Sequence, residues 1–399
     1  MGAIERYRRV LRKPHVTGLW ICSTLARLPI GINGLAIVLA MRHETGSFSA
    51  AGVAAGSYAA VLGLTTPLQG RLLDRLGPRT ILPPLVISHV VLLVAFVLLL
   101  GHAPIWVLCV LAGLLAVGLP PWSSVLRSMW PRLLGDQDLV TTAFALDAAL
   151  VELSFIVGPL LVALILAFST AKVALLLSAG MVLVGTLTVV GNPAIRSWER
   201  EGPHGAGLLG PLRSAGLLTV VLATVPIGFS FGAMEIALPA FASHTGHSGS
   251  SGLLISMWGI GSTAGALVYG ARTSAKPLHE RWLVFTALLA AGLVLPLAGG
   301  SLGVMIALLI PCGAFIAPAI ASGSQLMGIL APPGMTAEAY SWGPTSIVVG
   351  AAAGNAVAGA LVEAVNWRAA VLAALVLAAV GASIGFARRR TLSVPVPVG

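Results

Sequence analysis

The chain has 399 residues, of which 57% are hydrophobic and only 9% charged, with a mean hydropathy of +0.97. A soluble domain carries roughly 25% charged residues, so this chain has too little polar surface to cover a water-soluble globule. Its formal charge of +10 is carried in short runs between apolar stretches, the pattern of cytoplasmic loops and not of a nucleic-acid footprint.

Cutting the chain into stretches of about 20 mainly apolar residues predicts twelve membrane spans. They run over 18–41, 48–69, 80–101, 104–129, 139–168, 171–192, 214–241, 250–270, 282–299, 302–328, 336–364 and 367–387. The first is too long for a signal-peptide core and has no small-residue cleavage site after it, so it reads as a retained span. Lys and Arg gather on one side: Arg6 to Lys13, Arg71 to Arg79, Arg127 and Arg132, Arg196 to Arg213, Arg272 to Arg281, and Arg388 to Arg390. The other side holds Arg42, Lys172 and Arg368. Both termini are therefore expected in the cytoplasm, in the multi-pass arrangement of a bacterial inner-membrane protein.

One long polar break, 196–213, divides the chain into a first half, 1–195, and a second half, 214–390, followed by a tail, 391–399. The halves repeat each other. Leu28-Pro29-Ile30-Gly31 returns as Val225-Pro226-Ile227-Gly228, and His43-Glu44-Thr45-Gly46 as Ser243-His244-Thr245-Gly246. Ala143-Phe144-Ala145-Leu146 returns as Ala339-Tyr340-Ser341-Trp342, which sets Gly158 opposite Gly354. The expected fold is all-α, with twelve transmembrane helices in two six-helix pseudo-repeated bundles and a path between them.

Between the second and third spans stands Gly70-Arg71-Leu72-Leu73-Asp74-Arg75-Leu76-Gly77-Pro78-Arg79. It resembles the loop signature of the major facilitator superfamily, Gly-x-Leu-x-Asp-Arg-x-Gly-Arg-Arg/Lys; Gly70, Leu72, Asp74, Arg75, Gly77 and Arg79 match, and Pro78 departs. The resemblance implies a secondary transporter and a conformational latch built on Gly70, Asp74, Arg75, Gly77 and Arg79. In it Asp74 would bond the start of the eleventh helix near Thr336 to Glu338. The equivalent loop of the second half, Gly270 to Lys276, has no acid, so such a latch exists once. In the fifth span, Ser154, Gly158 and Pro159 resemble a degraded antiporter pattern, with helix packing as the competing reading.

Ionisable groups inside spans are costly and point to function. Arg27, Asp147, Glu152 and Glu235 are these groups; Arg27 and Glu152 are expected to pair, Asp147 to sit near the cytoplasmic end within reach of water, and Glu235 to carry a proton, with Glu152 as its rival. Arg127 lies towards the cytoplasmic end of the fourth span, too shallow to match the antiporter arginine of that helix. Asn33, Tyr58, Trp122, Trp258, Gln325 and Trp342 are candidates to line a cavity. No catalytic constellation, cofactor motif, metal cluster or phosphate-binding loop is readable, and the three cysteines give no disulfide or zinc framework. The sequence thus predicts no enzyme but a proton-coupled exporter of small amphipathic or hydrophobic molecules, monomeric in the bilayer, working with protons and no nucleic acid. An importer of a polar metabolite, or a non-transporting sensor or lipid-handling protein, is the alternative.

Overall fold

The computed structural model describes residues 3–13, 16–46, 48–196, 198, 210–247, 250–272 and 274–393. Most of the expected linker, with Arg200, and residues 394–399 of the expected tail lie outside the described residues. Among the described residues there is no strand, and twelve helical segments are long and apolar enough to cross a membrane. They are Val16–Thr45, Ala50–Leu76, Pro78–Leu99, Ile105–Leu134, Gln137–Phe168, Ala171–Gly191, Ala215–His244, Ser251–Ala271, Leu278–Ala298, Leu302–Leu330, Thr336–Ala364 and Trp367–Ala387, spans one to twelve below. Twelve crossings return the chain to the side on which it began, here the terminal side. A further short helix, Ala3–Arg12, precedes span one; its charge runs hid it from a search for apolar stretches.

The repeat is written most plainly in the helix crossings. Spans one and five touch backbone to backbone, so that a Cβ on Gly158 would lie 2.6 Å from the carbonyl carbon of Gly31. Spans seven and eleven repeat the crossing, with a Cβ on Gly350 falling 2.7 Å from the Phe229 nitrogen. Span six meets span one where Gly185 faces Ala26, and span twelve meets span seven where Gly381 faces Ala223. Where no hydrophobic force distinguishes lipid from protein, close approach of small residues is what holds helices together. Ser154, whose carbonyl faces Gly31, therefore packs a crossing.

Spans four and ten repeat each other in a different way. Span four breaks between Val117 and Trp122, around Pro120 and Pro121, and span ten breaks between Gly313 and Ile316, after Pro311. A proline removes the N–H that would continue the ladder, and in a bilayer the freed carbonyls need other donors. In span four, Gln69 of span two donates to the carbonyls of Val117 and Leu119, at 2.6 and 3.1 Å, and His89 of span three bonds that of Leu115 at 2.7 Å.

The two halves meet through spans two, five, eight and eleven, with spans four and ten beside them. Those first four are the least buried of the twelve. Near the terminal side span five is enclosed on almost every face over 139–149, whereas Leu153, Phe155, Leu160 and Leu164 further along are exposed. The seam is sealed on the terminal side and looser beyond.

Candidate functional site

The seal is built from the span two to three loop. Span eleven begins at Thr336 without a side-chain cap of its own, which leaves free N–H groups at the positive end of its dipole. Asp74 supplies the cap from the other half: its Oδ1 accepts from the Ala337 N–H and its Oδ2 from the Glu338 N–H, both at 2.8 Å. Arg71 then grips the Glu338 carboxylate with two donors, Nε to Oε2 at 2.9 Å and Nη2 to Oε1 at 2.6 Å. Arg71 belongs to this grip, although the sequence reading gave it only a place in the motif. Gly70 is required because a Cβ there would lie 2.7 Å from the Ala337 carbonyl. Gly77 turns the loop at φ 79°, a conformation open mainly to glycine. Arg75 and Arg79 are exposed.

The second half closes the seam without an acid. Thr142 of span five donates to the Gly270 carbonyl at 2.8 Å, and Tyr7 of the N-terminal helix donates to the Leu267 carbonyl at 2.7 Å. Burial pushes the Tyr7 hydroxyl up to about 12, so it remains a donor at neutral pH. Span five keeps its own cap, Asp136, which accepts from the Asp138 N–H at 2.8 Å. Among the described residues, span eleven alone borrows its cap across the seam. Ser124 and Ser341 (2.8 Å), and Gln325 and Thr141 (3.1 Å), add bonds between the halves. A cavity of about 250 Å³ lies among these contacts, lined in part by Asp74, Ser128, Gln325 and Tyr340.

The buried charges differ from the expected pairing. Arg27 meets Asp147, Nη1 to Oδ1 at 2.6 Å, and not Glu152. The second oxygen of Asp147 accepts from Arg127 Nε at 2.8 Å. Asp147 is fully enclosed, at 0% exposure, and does not reach water. Depth explains the correction. Spans one and five both start on the terminal side, and Arg27 and Asp147 lie 11 and 10 residues in, from Val16 and Gln137. At 1.5 Å per residue both are about 15 to 16 Å deep, while Glu152 is about 22 Å deep. The wide angle between Asp147 and Glu152 on their helix then turns Asp147 to spans one and four, and Glu152 to span eight, where it accepts from Ser262 at 3.1 Å. Arg127 lies seven residues from the terminal-side end of span four, as expected, and is buried there, at 4% exposure. Glu235 is exposed, with Asn355 of span eleven within side-chain reach.

Several candidates for a cavity lining prove to be interior. Asn33 is completely buried in the first half, where Ser178 donates to its Oδ1 at 2.6 Å and its Nδ2 lies 3.5 Å from the Tyr58 hydroxyl and from His89 Nε2. Tyr58 is buried with it. His89 escaped notice because a single histidine in an apolar run gives no pattern. Trp122 is enclosed, and its carbonyl accepts from Arg27 Nη2 at 3.3 Å. Trp258 packs edge-on against Phe231 at 5.9 Å, and Trp342 lies against the core. Of the six, Gln325 lines the cavity between the halves. Among the described residues no group of three or more His, Cys, Asp or Glu is placed to hold a metal, and all three cysteines are free thiols.

A family profile of the Major Facilitator Superfamily matches residues 19–291. No curated protein sequence gives a match. Solved structures do. The human organic anion transporter MFSD10 (TETRAN) is 17% identical, with a TM-score of 0.72, covering 95% of this chain and 99% of its own. A bacterial homologue of the iron transporter ferroportin, in an outward-facing state, is 13% identical with a TM-score of 0.76, covering 94% and 99%. The transporter FucP, in an outward conformation, is 15% identical with a TM-score of 0.70, again covering 94% and 99%. At these identities the likeness is one of fold. With the profile spanning more than half the sequence and twelve spans paired as described, the chain belongs to the Major Facilitator Superfamily and is a multi-pass membrane transporter.

Proposed function

We propose that the protein is a proton-coupled exporter of small amphipathic or hydrophobic molecules, acting as a monomer in a bacterial inner membrane with both termini in the cytoplasm. The halves 1–195 and 214–390 rock about the seam, and the 196–213 segment tethers them. With the terminal side cytoplasmic, the sealed seam corresponds to an outward-facing state, and the Asp74 cap with the Arg71–Glu338 pair is the latch that holds it. Opening the cytoplasmic side costs span eleven its cap.

One observation supports proton coupling above others. Of the three carboxylates that stand in the middle of spans, Asp147 is consumed by two arginines, while neither Glu152 nor Glu235 makes an ion pair among the described residues. A carboxylate held in a span without a cation is poised to take a proton when its surroundings dry and to release it when they open. Glu235, which stands beside Asn355 of span eleven, is the first candidate, and Glu152, bonded across the seam, is the alternative. The varied cargoes of the structural neighbours leave the fold silent on substrate.

The test uses proteoliposomes carrying an imposed pH gradient. Glu235→Gln is expected to abolish uphill accumulation of an amphipathic fluorophore while downhill exchange continues. Uphill transport at the normal rate in this variant passes the role to Glu152, and normal rates in both single variants and in the double variant remove proton coupling through these groups.

A further inference from the structure

The cluster around Asp147 does not balance. Two guanidinium groups, 1% and 4% exposed, face one carboxylate, so a net positive charge is held in a nearly dry environment. The other acids nearest the seam are committed elsewhere: Asp74 to the start of span eleven, Glu338 to Arg71, and Glu152 to Ser262. A buried charge without a counter-charge is costly.

The donors are also incompletely used. Arg127 spends only Nε on Asp147, and neither of its terminal nitrogens makes a hydrogen bond among the described residues. Arg27 leaves its Nε without a hydrogen-bond partner among the described residues. A guanidinium presents five donors in a fixed fork suited to a carboxylate or another planar anion.

The location gives this edge a route to ligand. Arg127 is flanked on span four by Ser124, which bonds Ser341 of the other half at 2.8 Å, and by Ser128, which lines the 250 Å³ cavity with Gln325 and Tyr340 of the other half. Arg127 itself is turned to Asp147 and does not line the cavity in this state; separation of the halves on the terminal side would break the Ser124–Ser341 bond and open span four three residues before Arg127 and, at Ser128, one residue after it.

From these observations we infer that Arg127, backed by Arg27, is an anion-binding site at the seam, and that the molecules carried are amphipaths bearing one negative charge. Asp147 fixes both guanidinium groups and neutralises one; the charge of the cargo neutralises the other. This inference rests on the transport reading above for its route, but the site itself can be tested by binding alone.

The experiment compares 2-naphthoate, 2-naphthylmethylammonium and 2-naphthylmethanol, which share a ring system and differ in charge, by thermal shift and by equilibrium dialysis on the full-length protein in nanodiscs. Naphthoate is expected to bind at least tenfold more tightly than the other two and to raise the melting temperature. Arg127→Gln leaves a neutral Arg27–Asp147 pair, so the variant is expected to fold and to lose naphthoate binding at least tenfold, with Arg127→Lys intermediate. Equal binding of the ammonium probe, or undiminished naphthoate binding by a folded Arg127→Gln protein, overturns the inference. The wild-type comparison of the three probes decides even if the glutamine variant does not fold. Naphthoate that binds through Arg127 but is not moved across liposomes upholds the site and counts against the export reading; naphthoate that is moved equally well by Arg127→Gln overturns the site and leaves export standing.

Discussion

Replacing Asp74 by asparagine isolates the latch, because it keeps the shape of the side chain and removes its charge. Asp74 is 4% exposed and receives two backbone N–H groups, at 2.8 Å each. Asparagine can accept one of them but turns its own NH2 towards the other. One hydrogen bond to a charged group, about 1.5 to 3 kcal/mol, is lost, together with about 0.3 to 1 kcal/mol of charge–dipole attraction at the helix start. The sum, about 2 to 4 kcal/mol, corresponds to a shift of about 30-fold to several hundred-fold in the ratio of sealed to open states. A ratio of about 99 to 1 would fall to about 3 to 1 at the lower bound. Spin labels at Arg79→Cys and Lys276→Cys, both exposed on the terminal side, in a background without the three native cysteines, would read this as a second, longer distance in double electron–electron resonance. A distance distribution identical to that of the parent would refute the assignment of Asp74 as a latch.

Asp147→Asn should be far more damaging than either arginine substitution, since it strands two buried cations; a loss of about 3 to 5 kcal/mol is expected, read as a collapse of folded yield in size-exclusion profiles. Adding Arg27→Gln and Arg127→Gln to that variant should restore yield, and failure to do so would mean that shape and not charge holds the cluster. Gly158→Ala should lower the melting temperature through about 1 to 3 kcal/mol of overpacking, because its Cβ would lie 2.6 Å from Gly31, whereas Gly180→Ala, with nothing within 4 Å, should be neutral by the same melting assay. Cysteines introduced at His244 and Thr391 should label from opposite faces of intact cells and everted vesicles; labelling of both from one face would overturn the topology.

The architecture was legible because membrane insertion leaves a one-dimensional record: apolar length gives the spans, and the near-constant offset of Gly31 from Gly228 and Gly158 from Gly354 gives the repeat. The Asp74 contact was legible as well, since the motif places an acid opposite a helix start that has no cap of its own. Pairing among buried charges was not. Arg27 could be matched with Asp147 or with Glu152 from composition alone, and the choice depends on an offset of about 7 Å along span five and on which helix face turns to span four. Arg127 does lie towards the terminal-side end of span four, seven residues from Leu134, but its bond to Asp147 was not legible, because nothing in the sequence says which helix face turns to span five. Asn33 and Tyr58 were mistaken for cavity residues because a polar side chain in a span looks alike in sequence whether it serves a substrate or, as here, an internal network with His89 and Ser178.

The most direct test of the account is gradient-driven accumulation of an amphipathic fluorophore by everted membrane vesicles containing the wild-type protein. Accumulation is expected when the lumen is acidified, with its loss on adding a protonophore and a counter-flow of protons out of the lumen that begins with the fluorophore. Accumulation that persists unchanged after the proton gradient is collapsed, or a gradient that drives none of a broad set of amphipaths, would contradict it.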